Sequence, residues 1–144
     1  MYSLLKTKLI LILIILSPMS FGYEFFLGKN AFSTENISKQ LSEDYGVELN
    51  VSTVIVAGDK GSNSNYQKQW EVLNGLNAEA MQLITVSSLS DEESGQGYYT
   101  DKATAQSILK GTSFKVMVFS SDGREVLSQN KPVSAQTLKA AINQ

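Results

Sequence analysis

The sequence predicts an α/β fold in which helices flank a central mixed sheet. Segments of strand and helix character alternate along the chain, one strand segment contains the unbroken apolar run "VIVA", and a hairpin signal, "SSDGR", lies near the carboxyl end. Alternating strands and helices need crossover connections, which place the helices on the faces of the sheet. The hairpin then adds an antiparallel edge to that sheet.

The amino-terminal half indicates a short strand, a helix and a buried strand. The apolar start of "YEFFLGKN" is typical of an edge strand. Ser33 is predicted to cap the following helix, because Phe32 and Ile37 have the spacing of a hydrophobic staple, and Gly46 is predicted to end it. "ELNVSTVIVAG" is rich in β-branched residues and continuously apolar near its end, which predicts a strand covered on both faces.

The middle of the chain changes to a helical period. Tyr66, Trp70 and Leu73 share one helical face, and Gly75 is predicted to end this helix. "MQLITVSS" is predicted to be the next buried strand. The polar stretch "LSDEESGQGYYT" is interpreted as a loop, at the end of which Thr100 is predicted to cap a third helix.

The carboxyl end carries the clearest local signals. "FKVMVF" is predicted to be a strand, and the Asp-Gly pair in "SSDGR" is typical of a hairpin turn because glycine tolerates a positive φ. "REVLSQ" is predicted to return antiparallel and to end before Pro132. Ser134 is predicted to cap a last helix with Leu138, Ala141 and Ile142 on its inner face.

The composition excludes several kinds of chemistry. The 144 residues include no cysteine and no histidine. Thiol redox chemistry, cysteine nucleophiles, disulfides, His-based triads and ordinary zinc sites are therefore excluded. Acidic residues (14) outnumber basic ones (12), and no run of lysine or arginine is present, so nucleic acid is not an expected partner.

The amino terminus has the features of a secretory signal peptide. Lys6 and Lys8 precede an apolar run at 9–16, which Pro18 interrupts. A spanning helix needs about 20 apolar residues, so this run is too short for a membrane anchor. Residues 1–22 are therefore predicted to be removed. Residues 23–144 would remain as a single domain, periplasmic or secreted, with no stable membrane span.

Two segments carry a resemblance to a known family. "FKVMVFSSDGREVLSQNKPVSAQTLKAAI" resembles the carboxyl half of a thioredoxin-like family of exported proteins, a domain of unknown function. "STVIVAGDKGSNSNYQKQWEVL" is similar to that family's strand, polar loop and helix, with Gln69 at the matching position. The resemblance covers residues 50–143. It implies a thioredoxin-like three-layer sandwich, with a central mixed sheet and an antiparallel carboxyl-terminal hairpin, and export from the cell.

The chain also departs from the family's pattern. An Arg-Asp pair common near the loop after the second strand is absent, and so is the short basic tail. The cis-proline position of thioredoxins falls near Phe114, where no proline stands. Because the redox cysteines are missing as well, the resemblance implies a fold and a location but no thiol–disulfide exchange.

The loop after the second predicted strand is the candidate binding surface. It lies at the carboxyl end of a central strand and leads into a helix amino terminus, where open α/β sheets tend to bind ligands and free N–H groups favour anions. The alternative is a connecting loop whose Gly and Asn residues only satisfy turn geometry. The candidate residues are Gly58, Asp59, Lys60, Ser62, Asn63 and Tyr66.

The leading hypothesis is a redox-inactive binding or adaptor domain whose partner is another envelope or secreted protein. One alternative is an enzyme that uses Asp59 and Lys60 with carboxylates of the acidic loop 91–93. A second is a small-ligand carrier with a pocket behind Tyr98 and Tyr99. No cofactor, metal or catalytic residue is expected, since the three adjacent acids offer charge without the ligand spacing that calcium needs.

Overall fold

The computed structural model describes residues 22–89 and 97–143. Residues 1–21 of the predicted signal peptide and the acidic loop 91–93 lie outside the described residues. The strands are β1 (Glu24–Leu27), β2 (Asn30–Ser33), β3 (Ser52–Gly58), β4 (Leu83–Ser87), β5 (Tyr98–Tyr99), β6 (Phe114–Phe119) and β7 (Glu125–Gln129), and the helices are α1 (Ile37–Tyr45), α2 (Ser64–Asn74), α3 (Lys102–Leu109) and α4 (Ala135–Ile142).

The strands form one mixed sheet in the order β2-β1-β5-β4-β3-β6-β7. β3, β4 and β5 run parallel to one another, whereas β6 and β1 run antiparallel to their neighbours in that group. β7 pairs antiparallel with β6, with a register shift between Val118 and Phe119. The predicted α/β class and the mixed sheet are confirmed.

The central strand β3 contributes to two hydrophobic clusters. All seven of its residues are buried, as its continuous apolar sequence predicts, and successive side chains point to opposite faces of the sheet. Ile55 belongs to a cluster that includes Ile37 and Ile108. Val56 belongs to a second cluster that includes Leu73 and Leu138. Each cluster therefore joins the sheet to two of the four described helices.

Two of the predicted helix caps are wrong. α1 begins after Asn36, and Ser33 instead ends β2, where its Oγ donates a hydrogen bond to Asn36 Oδ1 (2.8 Å). α3 begins after Asp101, whose Oδ1 accepts from the backbone N–H of Thr104 (2.7 Å). In both cases a nearby Asx residue occupies the cap position, because the serine or threonine is still engaged in strand structure.

The other helix ends agree with the sequence. Gly46 ends α1 with a φ of 70°, and Gly75 follows the last residue of α2. Ser134 caps α4 by accepting a hydrogen bond from the backbone N–H of Thr137 (3.2 Å). At the last hairpin, Gly123 has a φ of 87°, the conformation that the Asp-Gly pair predicts.

Two short strands were absent from the sequence prediction. β2 pairs with β1 across a two-residue turn at Gly28 and Lys29, and Gly28 has a φ of 59°, as the first position of a type II′ turn requires. β5 contains only Tyr98 and Tyr99 and bridges β4 to β1. Within the described residues, no helix combines the length and the hydropathy needed to cross a membrane.

Candidate functional site

The predicted binding loop connects β3 to α2 at the carboxyl end of the central strand. Gly58 is the last residue of β3 and is buried, whereas Asp59, Lys60 and Ser62 are exposed. Asn63 is partly buried and is the cap residue of α2. The charged and hydroxyl groups of the loop are therefore available to solvent at the edge of the molecule.

The side chain of Asn63 holds the loop in shape through four hydrogen bonds. Its Oδ1 accepts from the backbone N–H groups of Asn65 (2.9 Å) and Tyr66 (3.1 Å). Its Nδ2 donates to Asp59 Oδ1 (3.0 Å) and to the carbonyl oxygen of Ser113 (3.1 Å). Because Asn63 occupies two of the helix's first N–H groups, these groups are not free to bind an anion.

The loop is also fixed to the residue that precedes β6. The backbone N–H of Asp59 donates to the Ser113 carbonyl oxygen (2.9 Å), the same oxygen that accepts from Asn63. Two donors on one carbonyl fix the distance between the loop and the start of β6. The Asp59 carboxylate accepts one of the Asn63 amide hydrogens, so its position beside the loop is set as well.

Gly58 and Tyr66 approach each other so closely that residue 58 must be small. A Cβ atom added to Gly58 would lie 2.8 Å from Tyr66 Cδ1, well inside van der Waals contact. The hydroxyl of Tyr66 in turn forms a hydrogen bond with Ser87 Oγ on β4. Glycine at position 58 therefore lets the Tyr66 ring lie over the strand ends.

A groove of about 530 Å³ lies beside the loop, at the carboxyl ends of β3 and β4. We call it the strand-end groove. Its apolar residues include Leu89, which is 41% exposed. Residues of α3 form one wall of the groove. It is lined by Gly58, Asp59, Ser88, Leu89, Tyr99, Thr100, Asp101, Lys102, Ala105, Gln106 and Leu109.

Charged groups stand at the rim of the strand-end groove. The hydrogen bond from the Thr104 backbone N–H lowers the pKa of the Asp101 carboxyl, which keeps it ionised at neutral pH. Asp59 and Lys102 complete the charged rim. The Oγ1 of Thr100 is buried and has no hydrogen-bond partner within the described part of the chain. Ionic groups thus surround a lining that also contains Leu89 and Leu109.

A second groove, of about 480 Å³, lies between α2 and the β4–β5 pair. We call it the aromatic groove. The rings of Tyr66 and Trp70 are in edge-to-face contact, with centroids 6.2 Å apart. The indole Nε1 of Trp70 is buried without a hydrogen-bond partner among the described residues. The groove is lined by Tyr66, Trp70, Asn74, Thr85, Ser87, Gly97 and Tyr98.

The two tyrosines of the predicted carrier pocket lie in β5. Tyr98 makes edge-to-face contacts with Phe25 and Phe32, with centroids 5.6 Å apart in both pairs. Burial, and to a lesser extent Tyr45, raises the pKa of Tyr98, which therefore remains protonated. Tyr99 donates its hydroxyl hydrogen to the carbonyl oxygen of Gly28 (2.9 Å). Both residues hold β1 against the rest of the sheet, and both belong to groove linings.

The structure adds site residues that the sequence did not single out. Leu89, Gln106 and Leu109 line the strand-end groove together with Asp59. Leu89 directly follows the predicted strand "MQLITVSS", at the edge where α/β sheets tend to bind ligands. This position is the sequence feature from which Leu89 could have been identified. Gln106 and Leu109 depend on the docking of α3, which no local pattern reveals. Among the described residues, no cluster of three or more metal-ligating side chains occurs.

Because comparison with known proteins found no match, functional conclusions depend on the geometry of the site. No model of a known protein family matches the chain, and no curated protein matches it. The resemblance of the loop and the carboxyl half to exported thioredoxin-like proteins therefore stays a prediction from the residues quoted above.

Proposed function

We propose that this protein is an exported, redox-inactive domain of the thioredoxin-like class that acts by binding another envelope or secreted protein. The connectivity supports this class: β3, α2 and β4 form a parallel unit, and α3, the antiparallel β6–β7 pair and α4 follow. This is the element order of the resembling family. The two hydrophobic clusters, each shared by the sheet and two helices, support a three-layer arrangement.

The absence of cysteine thiols and histidine imidazoles excludes disulfide exchange as the activity of this protein. The loop between β3 and α2 is the position at which a thioredoxin carries its reactive cysteines, and this chain has no cysteine or histidine at any position. A thiolate is the nucleophile of disulfide exchange. The loop therefore cannot carry out disulfide exchange, and we propose that it serves recognition.

The strand-end groove is the observation that carries the proposal. Its volume of about 530 Å³ and its mixed lining of apolar side chains and rim carboxylates fit a short extended segment of a partner protein. Leu89 provides an exposed apolar contact, and Asp59 provides a charged one. Asn63 holds Asp59 in place, so this part of the surface is formed before the partner arrives.

Capture from envelope extract tests the proposal with two matched variants. Leu89→Asp places a charge in the groove, and Val47→Asp makes the same kind of change at an exposed site that precedes β3, at the opposite end of that strand. Partners retained by the wild type are identified by mass spectrometry, purified and titrated against all three proteins. We expect Leu89→Asp to weaken binding by at least about tenfold and Val47→Asp to bind as the wild type does.

Equal affinities of the two variants would refute the groove as the binding surface. Measurable disulfide reductase turnover by the pure protein would refute the redox-inactive assignment. Export is tested separately by mass spectrometry of the mature protein, whose amino terminus is expected at Tyr23. An intact Met1 in the envelope fraction would contradict signal-peptide removal.

A small-ligand carrier is a second candidate, and the apolar part of the strand-end groove favours it. Ala105 and Leu109 are buried and line the groove together with Leu89. Small apolar ligands in such a groove would raise the melting temperature, because binding to the folded state alone stabilises it. A thermal-shift screen with amphipathic ligands in which Leu89→Asp removes every shift would support this candidate. A screen without any shift would contradict it.

A further inference from the structure

We propose that the aromatic groove binds a neutral oligosaccharide. This inference goes beyond the proposed function, since it concerns a different surface from the strand-end groove. Among the residues that the structure describes, none lines both grooves. A sugar-binding surface would give the domain a second attachment, to a glycan instead of a protein.

The described lining of the aromatic groove favours an uncharged ligand. Among the residues that the structure describes, those lining the groove are aromatic, amide, hydroxyl or glycine residues, and none is acidic or basic. From these residues a charged ligand would gain no counter-ion in exchange for the hydration that it loses. The strand-end groove has a different character, with Asp59, Asp101 and Lys102 at its rim.

The aromatic wall provides contacts for the apolar face of a sugar ring. Tyr66 and Trp70 lie one helical turn apart on α2, and their rings meet edge to face. This arrangement presents two large side chains along one side of the groove. Aromatic faces attract the partially positive C–H groups that pyranose rings carry on one side.

The polar residues of the groove match the other property of a sugar, its many hydroxyl groups. Ser87 Oγ bonds to the Tyr66 hydroxyl and also accepts from the backbone N–H of Leu89 (3.0 Å). Thr85 and the exposed Asn74 lie in the same lining. Hydroxyl and amide groups both donate and accept hydrogen bonds, as sugar hydroxyls do.

The unpaired indole N–H of Trp70 is a further sign that the groove lacks a partner. A buried donor normally has an acceptor, and each exception needs a physical reason. Trp70 Nε1 has none among the described residues, although the residue belongs to the wall of a groove with space for a ligand. Because the Nε1 atom is buried, a sugar oxygen can supply the missing acceptor only if the Trp70 side chain turns toward the groove on binding. A purely apolar ligand would fill the groove but leave this donor without an acceptor.

The single tryptophan of the chain makes the proposal directly measurable. Trp70 is the only tryptophan, so tryptophan fluorescence, excited selectively over that of the tyrosines, reports on this residue alone. Cellotriose, maltotriose and N,N′-diacetylchitobiose serve as neutral probes at millimolar concentrations. Trigalacturonate and the chitosan trimer serve as acidic and basic controls. We expect at least one neutral probe to shift the emission saturably and to protect Trp70 from acrylamide quenching, and neither charged probe to do so.

Three variants locate the effect. Asn74→Ala and Thr85→Val remove polar groups of the aromatic groove and retain the Trp70 reporter, and each is expected to weaken binding about tenfold. Gln106→Ala changes the strand-end groove only and should bind the sugar as the wild type does. Quenching protection in the wild type tests binding even if a variant fails to fold.

Absence of any emission shift or protection with the three neutral probes would refute the proposal, as would equal binding of the charged probes. Equal weakening by Gln106→Ala would show that the sugar occupies the other groove, which also overturns it. These results leave partner capture through Leu89 unaffected, so failure of this inference is distinguishable from failure of the proposed function.

Discussion

Gln69 and Val133 form a reciprocal pair of hydrogen bonds deep in the protein. Gln69 Nε2 donates to the Val133 carbonyl oxygen (3.2 Å), and the Val133 backbone N–H donates to Gln69 Oε1 (2.8 Å). The side chain of Gln69 is completely buried. Its amide thus acts as a one-residue strand partner that attaches the segment before α4 to α2. This role gives a physical reason for a glutamine at position 69.

Replacement of Gln69 by leucine should lower the free energy of unfolding by about 2–4 kcal/mol. The leucine has a similar size, but it leaves a buried N–H and a buried carbonyl of Val133 without partners, each at a cost of about 1–3 kcal/mol. Urea unfolding followed by circular dichroism measures the change. Gln136→Leu, at an exposed position of α4, is the control and should change stability by less than about 0.5 kcal/mol. Similar values for the two variants would contradict the structural role of Gln69.

Gly58→Ala should destabilise the protein by about 1–3 kcal/mol through overpacking. The added Cβ would lie 2.8 Å from Tyr66 Cδ1 and 3.1 Å from Tyr66 Cγ, so the ring must move away from the strand ends. Thermal unfolding of the variant measures the effect. The double variant Gly58→Ala/Tyr66→Ala removes the clash and should show less than the sum of the two single losses.

Gly61→Ala is the matched control for this clash. Gly61 lies in the same loop, and a Cβ there would meet no atom within 4 Å. Alanine restricts the unfolded chain more than glycine does, so this variant should be neutral or slightly more stable. If Gly61→Ala destabilised the protein as much as Gly58→Ala does, loop flexibility and not the Tyr66 contact would explain the glycine.

The parts of the fold that the sequence predicts are those with strong local patterns. β3 is recognisable because its residues are continuously apolar, and the last hairpin because the Asp-Gly pair favours a positive φ at Gly123. The helix period predicts the inner face of α4, where Leu138 and Ala141 are buried. Of the predicted α2 face, Leu73 is buried, whereas Tyr66 and Trp70 are partly buried. These signals depend only on residues that are close together in the sequence, so they can be recognised without knowledge of the tertiary contacts.

The parts of the fold that the sequence does not predict depend on contacts between distant segments of the chain. β5 has two residues and is a strand only because β4 and β1 lie on either side of it. Thr100 is a residue type that commonly caps helices, but its backbone N–H donates to the Ser87 carbonyl oxygen (3.1 Å). The cap therefore lies one residue later, at Asp101, and the helix begins at Lys102. The α3 wall of the strand-end groove is hidden for the same reason, since it forms only when α3 packs onto the sheet.

The capping carboxylate of Asp101 should make stability depend on pH in the acid range. Its pKa in the folded state lies below the ordinary value of 3.8 because the Thr104 backbone N–H donates to it. The folded state then binds fewer protons than the unfolded chain, so this contribution is present above pH 3.8 and is lost as the pH falls. Asp101 is almost fully exposed, and solvent screening limits the effect to about 0.5 kcal/mol.

Asp101→Asn isolates this contribution, since asparagine caps helices well but carries no charge. The stability difference between wild type and Asp101→Asn should favour the wild type at pH 7 and shrink as the pH is lowered toward 2. Urea unfolding at a series of pH values measures it. Asp101→Ala removes the cap acceptor itself and should be less stable at every pH. A difference between wild type and Asp101→Asn that grows on acidification would reverse the sign and contradict the assignment.

Thr53→Val should raise the free energy of unfolding by about 1 kcal/mol. Thr53 is completely buried in β3, between Ile84 and Phe119 on the neighbouring strands, and its Oγ1 has no hydrogen-bond partner among the described residues. Burial of a hydroxyl without a partner costs about 1–3 kcal/mol, and valine has nearly the same shape and a high preference for strands.

Thr34→Val is the matched control. Thr34 is equally buried, but its Oγ1 accepts from the Tyr23 backbone N–H (3.0 Å), so the same substitution there should destabilise by about 1 kcal/mol. Urea unfolding of both variants measures the pair, and a loss of stability in Thr53→Val would mean that its hydroxyl has a bonding role.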